Sequence, residues 1–221
     1  MGFLNVGNVM FTIWEYPVSY VEFAGTLLYF ASTFLIARKN LWTWPTGIAS
    51  VILYFFLFYQ IQLYSDMLEQ IYYLVISIIG WITWQKVKAK EDKRIIRSRW
   101  SSKKELVLWA VGITVCTAGL SLVSGNLHRW LPGIFPAPAD YPVLDALTTV
   151  MSFAAMYLLT MKRNESWLYW MIVNVIGIWL YWVKGVHFIA IQYIFLLANA
   201  VHGLIHWLRQ PPSASLGNAA N

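Results

Sequence analysis

Asp66, Glu69, Gln70, Tyr73 and Ser77 recur at helical spacing inside an apolar stretch running from Leu41 to Gln85. In hydrocarbon an unpaired amide or carboxylate is costly, so such a stripe faces a cavity or a partner. A second set lies near the C-terminus. Trp167, Trp170, Asn174, Ile178 and Tyr181 share one helical face with Trp182 adjacent, and Phe188, Gln192, Phe195, Asn199 and His202 share another. Amides alternate with aromatics on both faces. That combination suits a flat ring stacked on tryptophan or tyrosine, with hydroxyls held by Asn and Gln. A cationic ring would be held by cation–π attraction, with Glu69 as counter-charge.

Each residue also has a purely structural reading. Gln192 and Asn199 could bond neighbouring helices, as membrane amides often do, and Glu69 could pair with a Tyr or Trp donor. Trp44, Trp84 and Trp207 sit near span ends and read first as interfacial anchors. The candidate binding residues are Gln192, Asn199, Asn174, Trp182, Glu69, Gln70, Tyr73, Tyr181, Phe188 and Trp44. His202 and His206, at i and i+4, lack the Glu of a metalloprotease helix and have no evident third ligand, so no metal site is expected. No phosphate-binding loop, dinucleotide fingerprint or nucleophile elbow appears, so neither an enzyme nor a cofactor is expected.

The elements that must position these groups are membrane helices. The chain is 59% hydrophobic and only 12% charged, against about 25% charged for soluble domains; its mean hydropathy is +0.55. Its 13 Trp and 13 Tyr suit many lipid–water interfaces. The single cysteine, Cys116, excludes an intramolecular disulfide and reads as a lipid-buried small residue. Seven apolar runs are long enough to span a bilayer: Val18–Ala37, Leu41–Gln60, Tyr64–Gln85, Glu105–Ser124, Tyr141–Met161, Ser166–Lys184 and His187–Leu208. The N-terminal segment, residues 1–17, reads as an interfacial segment, a short surface helix rather than a span, with no cleavable signal. Residues 86–140 hold a basic loop, a linker helix and a Pro-rich external loop from Gly125 to Asp140; residues 209–221 read as a flexible tail.

The net charge of +6 is topological rather than a nucleic-acid footprint. With the N-terminus outside, all of the 16 Lys and Arg except Arg129 and Lys184 fall on the cytoplasmic side, and the C-terminus is cytoplasmic. The basic loop from Lys86 to Lys104 is expected to touch anionic lipid.

The chain also resembles itself. Gly80-x3-Trp84 matches Gly203-x3-Trp207 at an offset of 123, which also pairs Tyr64 with His187 and Glu69 with Gln192. Arg38-Lys39-Asn40 precedes Trp44 as Lys162-Arg163-Asn164 precedes Trp170, given a three-residue gap in the turn. Residues 18–85 and 141–208 therefore read as two three-helix repeats. Because three is odd, the fourth span restores their orientation, and the fold expected is an all-α membrane protein of 3+1+3 helices with parallel repeats, SWEET-like.

Trp44-Pro45-x-Gly47, the run Leu63-Tyr64-Ser65-Asp66-Met67-Leu68-Glu69-Gln70-Ile71-Tyr72-Tyr73, Gly80-Trp81-x-x-Trp84, Lys184-Gly185 and Gly203-x3-Trp207 resemble the signature of the PnuC-type nicotinamide riboside transporters. The departure is Val186-His187, where that family expects Leu-Tyr. The resemblance implies a trimeric carrier in a bacterial inner membrane, taking up nicotinamide riboside by facilitated diffusion through alternating access, with a cytoplasmic kinase trapping the product. It equally covers carriers of thiamine, riboflavin or deoxynucleosides. A seven-span receptor stands further off, since short loops and a parallel repeat do not favour it.

Overall fold

The computed structural model describes residues 4–13, 16–60, 64–90, 98–133, 138–183 and 187–209. Two short strands precede seven helices: β1 (Val9–Ile13), β2 (Tyr16–Ser19), α1 (Tyr20–Ala37), α2 (Thr43–Gln60), α3 (Tyr64–Lys90), α4 (Lys103–Trp130), α5 (Pro142–Thr160), α6 (Glu165–Val183) and α7 (His187–Leu208). Five of these, α1, α4, α5, α6 and α7, are long and apolar enough to cross a membrane by length and composition alone. α2 and α3 fall outside that set. Thr, Trp, Tyr and Gln lower the apolar content of α2, and the polar stripe from Glu69 to Ser77 lowers that of α3.

Among the described residues before residue 17, the expected surface helix is replaced by a strand pair. β1 and β2 pair antiparallel, with an irregularity between Val9 and Phe11. Val9, Thr12, Ile13 and Val18 are β-branched, and Pro17 offers no N–H to a helix. Gln60, at the end of α2, fixes the segment by donating to the Leu4 carbonyl at 2.7 Å and accepting from Val6 N at 3.0 Å. Ser19 then caps α1, its hydroxyl accepting from Glu22 N at 3.2 Å, a contact worth about 1 kcal/mol. α4 begins with a full capping box between Ser102 and Glu105. It runs on to Trp130, so the first part of the expected external loop is helix. Of that loop residues 134–137, and of the basic loop residues 91–97, lie outside the described residues; the two ends of the basic loop close α3 up to Lys90 and open α4 from Lys103.

The helices pack as two sets. α1 packs on α2 and α2 on α3; α5 packs on α6 and α6 on α7; the sets meet where α1 touches α7 and α3 touches α5. Among the described residues α4 packs on α5 alone.

The turns joining the first two helices of each set repeat atom for atom. Lys39 and Lys162, 123 positions apart, both adopt left-handed backbone, with φ of 53° and 56°. Lys39 N donates to Ile36 O and Asn40 N to Leu35 O, both at 3.0 Å; Lys162 N donates to Leu159 O at 3.0 Å and Arg163 N to Leu158 O at 2.9 Å. This is the αL helix ending usually given to glycine. Trp44 N then donates to Leu41 O at 3.2 Å, and Trp167 N to Asn164 O at 3.1 Å. Trp44 is thus the counterpart of Trp167, not Trp170. The three-residue gap drawn from the sequence is absent, because backbone hydrogen bonding, not the basic residues, sets the register.

Candidate functional site: a cavity between two helix sets

Four tryptophans close the space between the sets at one end. Trp44 is 1% exposed, Trp84 0%, Trp167 2% and Trp207 2%. The interfacial-anchor reading of Trp44, Trp84 and Trp207 is therefore corrected: they are core. Two glycines are the reason. A Cβ on Gly80 would overlap the Trp44 indole, and one on Gly203 the Trp167 indole, so each ring lies flat against a bare backbone of the third helix in its own set. Trp44 meets Trp84 edge to face at 5.2 Å and 86°, and Trp167 meets Trp207 at 5.4 Å and 86°. Trp84 and Trp207 touch across the middle at 6.1 Å. Their indole N–H groups cross over: Trp84 donates to Thr160 O at 3.1 Å in the other set, and Trp207 to Ile36 O at 3.2 Å. The indole N–H groups of Trp44 and Trp167 are buried with no acceptor among the described residues.

Beneath this floor the basic residues gather. Lys39 Nζ donates to Ser98 Oγ at 2.9 Å and lies 5.0 Å from the Trp207 ring centre. Arg99 pairs with Arg163 as an isolated parallel bridge. The buried Glu165 carboxylate accepts from Ser101 N at 3.1 Å, and Arg163 pairs with Glu105 at 2.6 Å. Residues 98–102 are thereby strapped to the start of α6.

Above the floor a cavity of about 600 Å³ extends along all six helices of the two sets, reaching the exposed Asp145 near the start of α5. That is the size of a small-molecule pocket. Most of its lining obeys the 123 offset. Glu69, Gln70, Tyr73 and Ser77 of α3 line it, and so do Gln192, Tyr193, Leu196 and Ala200 of α7; Tyr29, Thr33 and Ile36 of α1 are matched by Ser152, Met156 and Leu159 of α5. On α2 and α6 the pairs include Trp44 and Trp167, Val51 and Asn174, Tyr54 and Gly177, and Phe58 and Tyr181.

Eight candidate residues therefore come together on one cavity: Trp44, Glu69, Gln70, Tyr73, Asn174, Tyr181, Gln192 and Asn199. Trp182 does not join them. It is 58% exposed on the outer face of α6, because a residue one step from Tyr181 is turned about 100° around the helix. Phe195, grouped with Gln192 and Asn199, is 64% exposed, and Leu196 takes the inward place. The side chains of Asp66 and Phe188 lie outside the described residues.

Several polar lining groups are committed to holding helices together. Ser32 and Thr43 bond reciprocally across α1 and α2, Oγ to Thr43 O at 2.9 Å and Oγ1 to Ser32 O at 2.8 Å. Ser50 Oγ donates to Gly25 O at 2.8 Å, and Asn199 Nδ2 donates to Thr33 O at 2.9 Å, joining α7 to α1. Asn174 and Gln192, by contrast, make no side-chain hydrogen bond among the described residues while lining the cavity. Sequence reasoning missed Tyr29, Tyr54, Ser152 and Tyr193. Tyr193 was within reach: it is the counterpart, at offset 123, of Gln70.

A multi-pass helical membrane protein whose two matched helix sets enclose an aromatic, amide-bearing cavity has the build of a solute transporter. The chain belongs to the family described as nicotinamide mononucleotide transporter, whose model matches residues 19–209; it is a family of membrane transporters, not enzymes. It is 28% identical to the nicotinamide riboside transporter PnuC of Escherichia coli (strain K12), over 94% of this chain and 95% of that one. It is 25% identical to the riboflavin/roseoflavin transporter RibM of Streptomyces davaonensis, over 94% and 92%. The crystal structure of the vitamin B3 transporter PnuC superposes with a TM-score of 0.63 at 21% identity, covering 86% of this chain and 81% of that one, which establishes the shared fold.

Proposed function

We propose that this chain carries nicotinamide riboside across a bacterial inner membrane. One observation carries the reading: the cavity is walled by aromatic rings and the Asn174 and Gln192 amides, and its described lining includes no Lys, Arg or His. A phosphate dianion binds through cationic or charge-assisted donors. Here it would meet the carboxylates of Glu69 and Asp145 instead. The unphosphorylated riboside, with its pyridinium, carboxamide and hydroxyls, suits this wall better than the mononucleotide. The names of the relatives from Escherichia coli and Neisseria mucosa, the latter 23% identical, support the same cargo.

The contacts are Gln192, Asn174, Asn199, Glu69, Gln70, Tyr73, Tyr181 and Trp44. The helices form 3+1+3 parallel repeats of the SWEET type, a layout supported by the matched turns, glycines and tryptophans of the two sets. Transport is facilitated diffusion by alternating access, the sets rocking about the cavity, and a cytoplasmic kinase traps the cargo. The basic residues below the tryptophan floor support a cytoplasmic floor, with the N-terminus outside and the C-terminus inside. The assembly is a homotrimer, the state the family resemblance implies, checked by mass measurement in nanodiscs.

The test is uptake of labelled riboside into proteoliposomes, beside calorimetric titration with riboside, mononucleotide, thiamine and riboflavin. Equilibration without an ion gradient and micromolar or tighter binding of riboside alone are expected. Preference for the mononucleotide would overturn the cargo. Preference for riboflavin would favour the second reading, which the similarity to RibM motivates.

A further inference from the structure

The two helix sets match at most positions around the cavity, yet their charge does not. Glu69 on α3 and Gln192 on α7 are counterparts at offset 123, and both line the cavity. One is a carboxylate and the other its neutral amide. The second lining carboxylate, Asp145, is on α5, the helix that packs against α3; its own counterpart, Glu22, is not among the lining residues. Both negative charges thus fall along the α3–α5 side of an otherwise two-fold wall, and no described lining residue is cationic. Tyr73, about one turn along α3 from Glu69, and Tyr193, next to Gln192 on α7, also line the wall.

Resting on the cargo reading above, we propose that Glu69 is the charge-selecting residue of the site: it reserves the α3–α5 side for a positively charged ring and disfavours a neutral or anionic ring of the same shape. Gln192 holds the cargo's opposite edge through neutral hydrogen bonds. The repeat explains why one residue suffices. A site built with amides at both positions would bind either ring alike, and a carboxylate at one of them adds an attraction that only the cation feels. In a partly wet cavity a single close charge pair changes affinity by roughly tenfold or more.

The experiment uses the full chain in detergent, titrated calorimetrically with nicotinamide riboside, whose ring is cationic, and with its dihydropyridine form, whose ring is neutral. The wild type is expected to bind the cation at least about tenfold more tightly. Glu69→Gln should erase that ratio by weakening the cation while leaving the neutral riboside within about twofold, and Glu69→Asp should keep much of it. Equal loss of both ligands in Glu69→Gln, or no loss of either, overturns the proposal. If Glu69→Gln does not fold, the wild type still decides: equal affinities for the two ribosides overturn it. Failure of the wild type to bind either riboside removes the cargo reading and this inference with it, whereas cation binding insensitive to Glu69 removes the inference alone.

Discussion

Trp84 donates its indole N–H to the Thr160 carbonyl at 3.1 Å, crossing from the first helix set to the last turn of α5 in the opposite set. Trp207 returns the same contact to Ile36 at 3.2 Å. The closed floor is therefore held by two reciprocal inter-set bonds, whose acceptors are one position out of register, since Ile36 is the counterpart of Leu159. Trp84→Phe and Trp207→Phe should each lower thermal stability in detergent by about 1 kcal/mol from the bond alone, by similar amounts. Unequal effects, one variant melting like wild type, would show that only one of the two contacts holds the floor.

Among the helical glycines, two groups stand at opposite extremes of what faces them. A Cβ at Gly80, Gly203 or Gly177 would overlap a ring, Trp44, Trp167 and Tyr193 respectively, whereas Gly112 and Gly119 on α4 have nothing within 4 Å. Alanine at the first three is expected to cost about 1–3 kcal/mol, and Gly177→Ala should also weaken binding, because Tyr193 is pushed into the cavity it lines. Alanine at Gly112 or Gly119 should leave melting unchanged or raise it by up to about 1 kcal/mol through helix propensity. Melting curves of the five variants test the division.

Gln192 and Asn199 line the same cavity but differ in commitment, since only Asn199 bonds the opposite set, at Thr33 O. Gln192→Ala is expected to weaken riboside binding with melting unchanged. Asn199→Ala should lower both. Titration and melting on the same samples separate the two; equal melting losses would show that Gln192 is structural as well.

Lys39 is 7% exposed beneath the floor, and burial pushes its ammonium down from the ordinary 10.5 to about 8. Above pH 8 the folded state releases this proton while the unfolded chain still holds it up to about 10.5, so stability rises with pH across that window. Below pH 8 both states are protonated and the contribution is flat. Melting between pH 7 and 10 should rise more steeply in wild type than in Lys39→Met, which keeps the length of the side chain and removes the titration.

Glu165 holds the strap before α4 through Ser101 N at 3.1 Å, and Ser101 itself is buried. Glu165→Ala should free residues 98–102 and speed tryptic cleavage at Arg99, an exposed residue whose backbone is otherwise tied to Lys162 and Asn164. Unchanged cleavage would mean that the backbone pairing suffices without the carboxylate.

Composition and local spacing determined the membrane character of the chain, its seven helices, the basic segments and the offset of 123, because each depends only on residue type and helical period. Gln192, Asn199, Asn174 and Glu69 were legible as candidates for the same reason: a polar group inside an apolar helix stands out wherever it points. Tertiary structure alone decided the rest. In a membrane the core and the lipid are equally apolar, so hydropathy cannot tell an inward ring from an outward one. Trp182 and Phe195 therefore read like Tyr181 and Leu196 until packing turned them outward, and Trp44, Trp84 and Trp207 read like anchors until Gly80 and Gly203 gave their rings somewhere to lie. The gap-free repeat was fixed by the backbone bonds at Lys39 and Lys162, whose left-handed turns carry no signature in residues that are ordinarily not glycine substitutes.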